Sequence, residues 1–249
     1  MPDVQQKIIR IGTSNIVLPG NKQSFPAAYQ DKTRLSYYAS LFNTLEVNSS
    51  FYKIPLAKTF ARWATEVPEA FRFTLKLWKG ITHTKALAYV KADVVSFMQA
   101  ADAIGTKKGC LLIQFPASIT VDYFSKVKEL LQLLQELDPE NSWNRVVEFR
   151  HSGWYTDATY TLLDTFHSSV VLHDMPGSTT MQLNGKSGIA FLRFHGTAPN
   201  YSGSYSPAYL KGMALHFKEW ISEGKEVYAY FNNTLGTAFA DAQLLYELV

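Results

Sequence analysis

The chain has 249 residues, 47% of them hydrophobic, 14% aromatic and 18% charged, enough apolar material for a large core and too much for bulk disorder. A formal net charge of +3 does not by itself mark a nucleic-acid binder. The lone cysteine, Cys110, excludes an internal disulfide and a cysteine-built zinc site, and its place at the head of C-L-L-I-Q-F-P predicts a core residue. The opening M-P-D-V-Q-Q-K lacks the apolar core of a signal peptide, and no apolar run approaches the roughly 20 residues that span a bilayer. A soluble cytoplasmic protein with no membrane partner is expected; the sequence sets no oligomeric state.

Residues 8–11 form a β-branched run ending in Gly12-Thr13-Ser14, a first strand followed by a loop broken at Pro19-Gly20 and Pro26. Thr33 is placed to cap a helix carrying Leu35, Tyr37, Tyr38 and Leu41. Strand two covers 44–48, a loop S-S-F-Y-K-I reaches Pro55, and a helix holds Phe60, Trp63 and Ala64. Strand three covers 71–77, followed by the loop W-K-G-I-T-H and a helix over 92–104. Strand four covers 110–115 and stops at Pro116; the next helix, 122–137, has the clearest apolar stripe in the chain, with Phe124, Val127, Leu130, Leu131 and Leu134.

Strand five is V-V-E-F-R-H, 146–151, with a helix over 158–166 behind it. Strand six, 170–172, runs into His173-Asp174, and the polar 182–188 segment reads as an elaborated loop rather than a helix. Strand seven covers 190–194, a helix 207–222, strand eight 226–231 and a last helix 236–248. Eight strands alternating with helices, without a linker or a shift in composition, predict an α/β fold: a single (β/α)8 TIM-barrel domain over 1–249. A doubly wound open sheet is the structural alternative. Neither G-x-G-x-x-G after strand one nor G-x-x-x-x-G-K is present, so the usual nucleotide cradles are absent and no cofactor is predicted.

Side chains alternate along a strand, so Glu148 and Arg150 share one face while Val147 and Phe149 share the other. Polarity on the first of these faces is confined to the carboxyl end, because its upstream member, Val146, is apolar. The same pattern recurs at Glu46 and Asn48, Lys76, Gln114, Arg193 and His195, and Asn232. In a parallel barrel such strand ends converge on one mouth. His173 and Asp174 compete for the inward position on strand six.

Three chemistries fit this set. Glu46 and Glu148, with loop aromatics Tyr52, Trp78, Trp154, Tyr155, Tyr201 and Tyr205, suit a sugar-like ligand handled by one carboxylate as acid and the other as base or nucleophile. Lys76, Arg150, Arg193 and His195 suit a phosphate or carboxylate. A divalent metal would draw on Glu46, Glu148, Asp174 and His195, against three cations in the same mouth and without H-x-H or H-E-x-x-H spacing. His83 and His151 are loop candidates either for proton transfer or for surface and capping roles, and Asn232-Asn233-Thr234 for ligand or turn hydrogen bonds.

The strings I-G-T-S, L-E-V-N-S-S-F-Y, F-T-L-K-L-W-K-G-I-T-H, L-L-I-Q-F-P, V-E-F-R-H-S-G-W, F-L-R-F-H-G with Y-S-G-S-Y, and V-Y-A-Y-F-N-N, in that order over 8–248, resemble the YecE-like family, domain of unknown function 72. The resemblance implies a TIM barrel whose shared residues crowd the carboxyl-end pocket. Carried over position by position it covers Glu46, Asn48, Ser49, Phe51, Tyr52, Lys76, Thr82, His83, Gln114, Pro116, Glu148, Arg150, His151, Trp154, Arg193, His195, Gly196, Tyr205, Asn232 and Asn233. The chain departs from the family pattern at Asn15-Ile16-Val17-Leu18 in the first loop and at Ser152. The family's fold is similar to the barrels of apurinic endonucleases and sugar isomerases.

The expectation is an enzyme of hydrolase or isomerase type on a small polar, sugar-like or phosphorylated substrate. Glu46 and Glu148 would do the acid–base work, Lys76 and His195 would assist, and Asn48, Tyr52, His83, Gln114, Arg150, His151, Trp154, Asp174, Arg193, Tyr205, Asn232 and Asn233 would bind. The alternative is a nucleic-acid (phosphodiester) binder, non-catalytic or metal-assisted. An enclosed pocket favours the first, an open basic groove the second.

Overall fold

The computed structural model describes residues 9–249; the amino-terminal stretch read for a leader, and Ile8 of the predicted first strand, lie outside the described residues. Eight strands, β1 (Ile9–Thr13), β2 (Thr44–Val47), β3 (Arg72–Lys76), β4 (Lys108–Phe115), β5 (Asn144–Phe149), β6 (Ser168–His173), β7 (Ile189–Phe194) and β8 (Glu226–Phe231), form one parallel sheet in the order β1-β8-β7-β6-β5-β4-β3-β2. The ends of that order meet between β1 and β2. A parallel bridge joins Ser14 to Glu46, and the Asn15 N–H donates to Glu46 O at 2.8 Å. Below it the Asn43 side chain replaces the missing ladder, accepting from Ile11 N at 3.1 Å and donating to Ile9 O at 2.8 Å. Gly12 lets the two backbones come this close, since a Cβ there would collide with Thr44 O.

Helices α1 (Arg34–Leu41), α3 (Ala57–Thr65), α5 (Lys91–Asp102), α6 (Phe124–Leu137), α7 (Asp157–Thr165), α8 (Pro207–Ser222) and α9 (Ala238–Leu248) follow strands as predicted, with boundaries moved by a few residues. Thr33, Thr156 and Ser206 cap α1, α7 and α8 through their hydroxyls, satisfying backbone N–H groups the first turn leaves open. Two one-turn helices, α2 (Ser49–Tyr52) and α4 (Lys79–Thr82), occupy segments expected to be loops; four residues are too few to show a helical period. The 182–188 connection between β6 and β7 has no helix, as its polar sequence predicts.

Strand alternation divides the interior in two. Outward residues such as Leu45, Leu75, Ile113, Val147, Phe149 and Leu192 pack under the helices. Inward residues Cys110, Leu112, Val146, Val171, Phe191, Tyr228 and Tyr230 fill the barrel. Each fully buried Leu or Phe contributes roughly 1.5–3 kcal/mol, so this packed interior outweighs any preference of the short strands for another register. The Tyr230 hydroxyl bridges Thr44 Oγ1 at 2.6 Å and Thr74 Oγ1 at 2.7 Å, one inward step below Glu46 and Lys76. Among the described residues no helix is long and apolar enough to cross a membrane.

Candidate functional site

Above the Tyr230 layer the inward positions become charged. Arg193, 1% exposed near the end of β7, donates from Nε and Nη2 to both oxygens of Glu46 at 2.8 and 2.7 Å. Its Nη1 donates to Glu148 Oε2 at 2.6 Å. Ser14 Oγ donates to Glu46 Oε1 at 2.6 Å, and Arg150 Nε to Glu148 Oε1. Burial opposes ionisation of both carboxylates, yet the guanidiniums outweigh it: Glu46 falls below the usual range under Arg193, and Glu148 falls well below it under Arg150 and Arg193. Burial likewise opposes the Arg193 cation, and the two carboxylates raise its pKa in return.

A second chain runs outward from this network. Arg150 Nη2 donates to His195 Nε2 at 2.9 Å, with Arg193 Nη1 3.3 Å from the same nitrogen. A ring nitrogen facing two guanidiniums must accept, so the His195 proton sits on Nδ1, 3.2 Å from Asp174 Oδ1. Tyr205 donates its hydroxyl hydrogen to Asp174 Oδ2, and the same hydroxyl accepts from Gly196 N at 2.6 Å. Burial lowers the His195 pKa against the opposing Asp174 hydrogen bond, leaving the ring neutral. The competition on strand six resolves by position: His173 points inward beside Arg193, and Asp174, one residue past β6, reaches His195 from the rim. Burial lowers the His173 pKa to about 4.

The cavity above these layers has a volume of about 230 Å³ and is lined by Asn15, Asn48, Phe51, Tyr52, Lys76, Gln114, Arg150, Arg193, Tyr201, Asn232 and Thr234. Lys76 Nζ lies 4.2 Å from the Phe51 ring centroid and, among the described residues, makes no hydrogen bond or ion pair. Burial, then the Arg193 charge, lower its pKa to about 7 against the attraction of Glu148 and Glu46. Among the described residues Arg150 Nη1 has no acceptor and Asn48 Oδ1 no partner. His83 sits behind this wall, its Nε2 3.5 Å from Gln114 Nε2 and its ring against Phe51; burial and then Lys76 lower its pKa to about 4. A second pocket of about 420 Å³ adjoins across Tyr201, lined by His195 and the 196–200 loop.

Several expected site residues serve elsewhere. Glu46 and Glu148 do not line the cavity: they are fully buried, ionised and held by guanidiniums, so neither is placed as the acid of a carboxylate pair. Trp154 is fully buried on the helix side, stacked on Phe149 at 4.4 Å with its indole N–H given to Ile119 O at 2.7 Å. His151 turns back to accept from Gly153 N at 3.1 Å. Asn233 is of outward parity and donates to Gly203 O and Asp241 Oδ2 at 3.0 and 2.8 Å, tying two loops together. Tyr205 and Asp174 do not line the cavity; they sit behind His195, Tyr205 bonded to Asp174 and Asp174 to His195. The metal set does not fit: Glu46, Glu148 and Asp174 are engaged as acceptors and His195 Nε2 faces two cations. Among the described residues no group of three or more His, Cys, Asp or Glu is arranged to hold a metal ion. Ser14 and Asn15 were not anticipated as individual site residues; the Gly-Thr-Ser at the strand end, with Asn15 directly after it, is the signal that could have flagged them, while Thr234, read with Asn232 for hydrogen bonding, lines the cavity.

The molecule is thus a (β/α)8 barrel whose carboxyl-end mouth carries a buried Glu–Arg–Glu network beneath a small polar cavity. Residues 10–249 match the family model described as "Protein of unknown function DUF72", and the chain belongs to that family. It is 24% identical over 253 residues to UPF0759 protein YunF of Bacillus subtilis, covering 87% of this chain and 86% of that one. Among solved structures it superposes on a DUF72 family protein of Enterococcus faecalis with a TM-score of 0.79 at 19% identity, over 96% of this chain and 94% of the other. A DUF72 family protein of Thermotoga maritima gives 0.71 at 24% identity, over 97% and 98%. These likenesses show the fold.

Proposed function

We propose that the mouth is an enzyme site for a small polar anion, a phosphate or carboxylate on a sugar-like skeleton, and that acid–base work at the ligand falls to Lys76 rather than to the carboxylates. The observation that carries this reading is a pair of cationic side chains, Lys76 and Arg150, that line one cavity and whose Nζ and Nη1 have no acceptor among the described residues. Arg193 is neutralised by Glu46 and Glu148, so it sets the field and holds Glu148 in place to orient Arg150. An incoming anion would meet Arg150 with the amides of Asn48, Gln114 and Asn232 beside it, and a second negative charge would favour the ammonium form of Lys76. With a pKa of about 7, Lys76 exchanges protons readily near neutrality. A volume of about 230 Å³ suits a metabolite rather than a nucleic-acid backbone.

The test is a thermal-shift series with inorganic phosphate, sugar phosphates, small carboxylates and neutral sugars. A ligand at about 100 times its Kd stabilises by about 2.7 kcal/mol, a shift on the order of 5–10 °C for a chain of this size. Anions should give it, neutral sugars should not, and Arg150→Met should abolish it. A shift with neutral sugars alone, or one that survives Arg150→Met, would reject the reading.

A further inference from the structure

Lys76 is unusual among the buried amines of this chain. Lys107, also buried, donates to Glu69 Oε2 at 2.6 Å and to Pro68 O at 2.9 Å, as a buried ammonium ordinarily does. Lys108 reaches Asp102 at 2.7 Å. Lys76 Nζ has no such acceptor among the described residues; it rests on the Phe51 ring and opens on the cavity, which Arg150 and Arg193 also line. Both nearby carboxylates are occupied by guanidiniums, and among the described residues none holds the amine as an ion pair. The charged and titratable groups around it are Glu46 from β2, His83 just after α4, Glu148 and Arg150 at the end of β5, and Arg193 from β7. An amine kept out of salt bridges and beside fixed positive charge has its lone pair available for attack.

We propose that Lys76 forms a Schiff base with an aldehyde or ketone that carries a carboxylate or phosphate, the anionic group lying on Arg150 and the neighbouring amides. The inference rests on the anion-binding reading above and adds the carbonyl. The neutral amine attacks the carbonyl carbon, the π pair moves to oxygen, and a proton passes from nitrogen to that oxygen to give a carbinolamine. Uptake of one proton from solvent at the open mouth releases the hydroxyl as water and leaves the protonated imine; hydrolysis reverses every step. The positive imine nitrogen would take the place of the ammonium on the Phe51 ring, retaining its cation–π contact.

Borohydride trapping tests this. The full chain is incubated near neutral pH with glyoxylate or dihydroxyacetone phosphate, reduced, and mapped by peptide mass, with uncharged glycolaldehyde in a parallel arm. Lys76 should be modified at least about ten-fold faster than the exposed lysines, because roughly a thousand-fold more of it is neutral at that pH, offset in part by the lower nucleophilicity of a less basic amine. Inorganic phosphate should slow the labelling, glycolaldehyde should label Lys76 less well, and Arg150→Met, checked for native circular dichroism, should slow labelling by the charged aldehydes. Labelling of Lys76 no faster than exposed lysines, or insensitive to phosphate, would overturn the proposal. Thermal stabilisation by phosphate without any adduct at Lys76 would overturn the Schiff base and leave the anion site standing; neither adduct nor stabilisation would remove both.

Discussion

Two arginines are buried at opposite ends of the barrel, and their surroundings differ in kind. Arg145, 2% exposed near the start of β5, gives Nε and Nη2 to Phe166 O at 3.3 and 3.1 Å, while its nearest carboxylate, Asp138, stands 3.7 Å away. Asp138 is itself engaged by the Ser142 and Trp143 N–H groups at 2.9 and 3.0 Å. Burial lowers the Arg145 pKa against that one partner, whereas two fully buried carboxylates raise that of Arg193 despite its burial. The amino-end arginine fastens a loop with mostly neutral acceptors. The carboxyl-end arginine concentrates charge under a cavity, the end of this fold where function is built.

Replacing Arg193 by Met should be the costliest change, about 3–5 kcal/mol or loss of folding, because it strands two buried carboxylates. Urea unfolding measures this, and adding Glu46→Gln with Glu148→Gln should recover part of the loss. Arg145→Met should cost less, about 1–3 kcal/mol, for the unsatisfied Phe166 carbonyl and the weakened Asp138 turn. Equal losses in the two variants would erase the contrast between the ends of the barrel.

The third expectation concerns pH. Folded Lys76 releases its proton at about 7, the unfolded residue at its ordinary 10.5, so between those values the unfolded chain binds more protons and stability rises with pH. The penalty for burying the ammonium is fully present below about 7. Lys76→Met removes this contribution: the variant should gain most on wild type at pH 6, and the gap should narrow toward pH 10. A gap that does not change with pH would show that Lys76 is not a desolvated amine. The smallest effect is expected at Trp154→Phe, about 1 kcal/mol for the hydrogen bond to Ile119 O, with ligand shifts unchanged. A lost ligand response there would return Trp154 to the site.

Much of the site could be read because strand alternation is a local property. Glu46, Lys76, Gln114, Glu148 and Arg193 share the inward parity of their strands, and Asn48, Arg150, His195 and Asn232 continue it just beyond them; the structure brings these residues to one mouth. The loop residues were less legible. His151 and Trp154 follow V-E-F-R closely, yet one turns back on Gly153 and the other passes behind the barrel, because loop backbone has no fixed period. Asn233 is adjacent to Asn232 but faces the opposite way, so the same alternation that places one in the cavity gives the other to Asp241.

From the sequence alone came the eight strands and the helices between them, the missing helix before β7, the family, and the set of polar strand ends, since each is written in short-range patterns of burial and turn residues. The division of labour within that set required the tertiary structure. Whether a buried glutamate is acid, base or counter-ion depends on which guanidinium, from a strand 147 or 45 residues away in sequence, reaches it. Arg193 takes Glu46 and Glu148 together and leaves Lys76 without a partner among the described residues, an outcome set by the distances between side chains across the barrel.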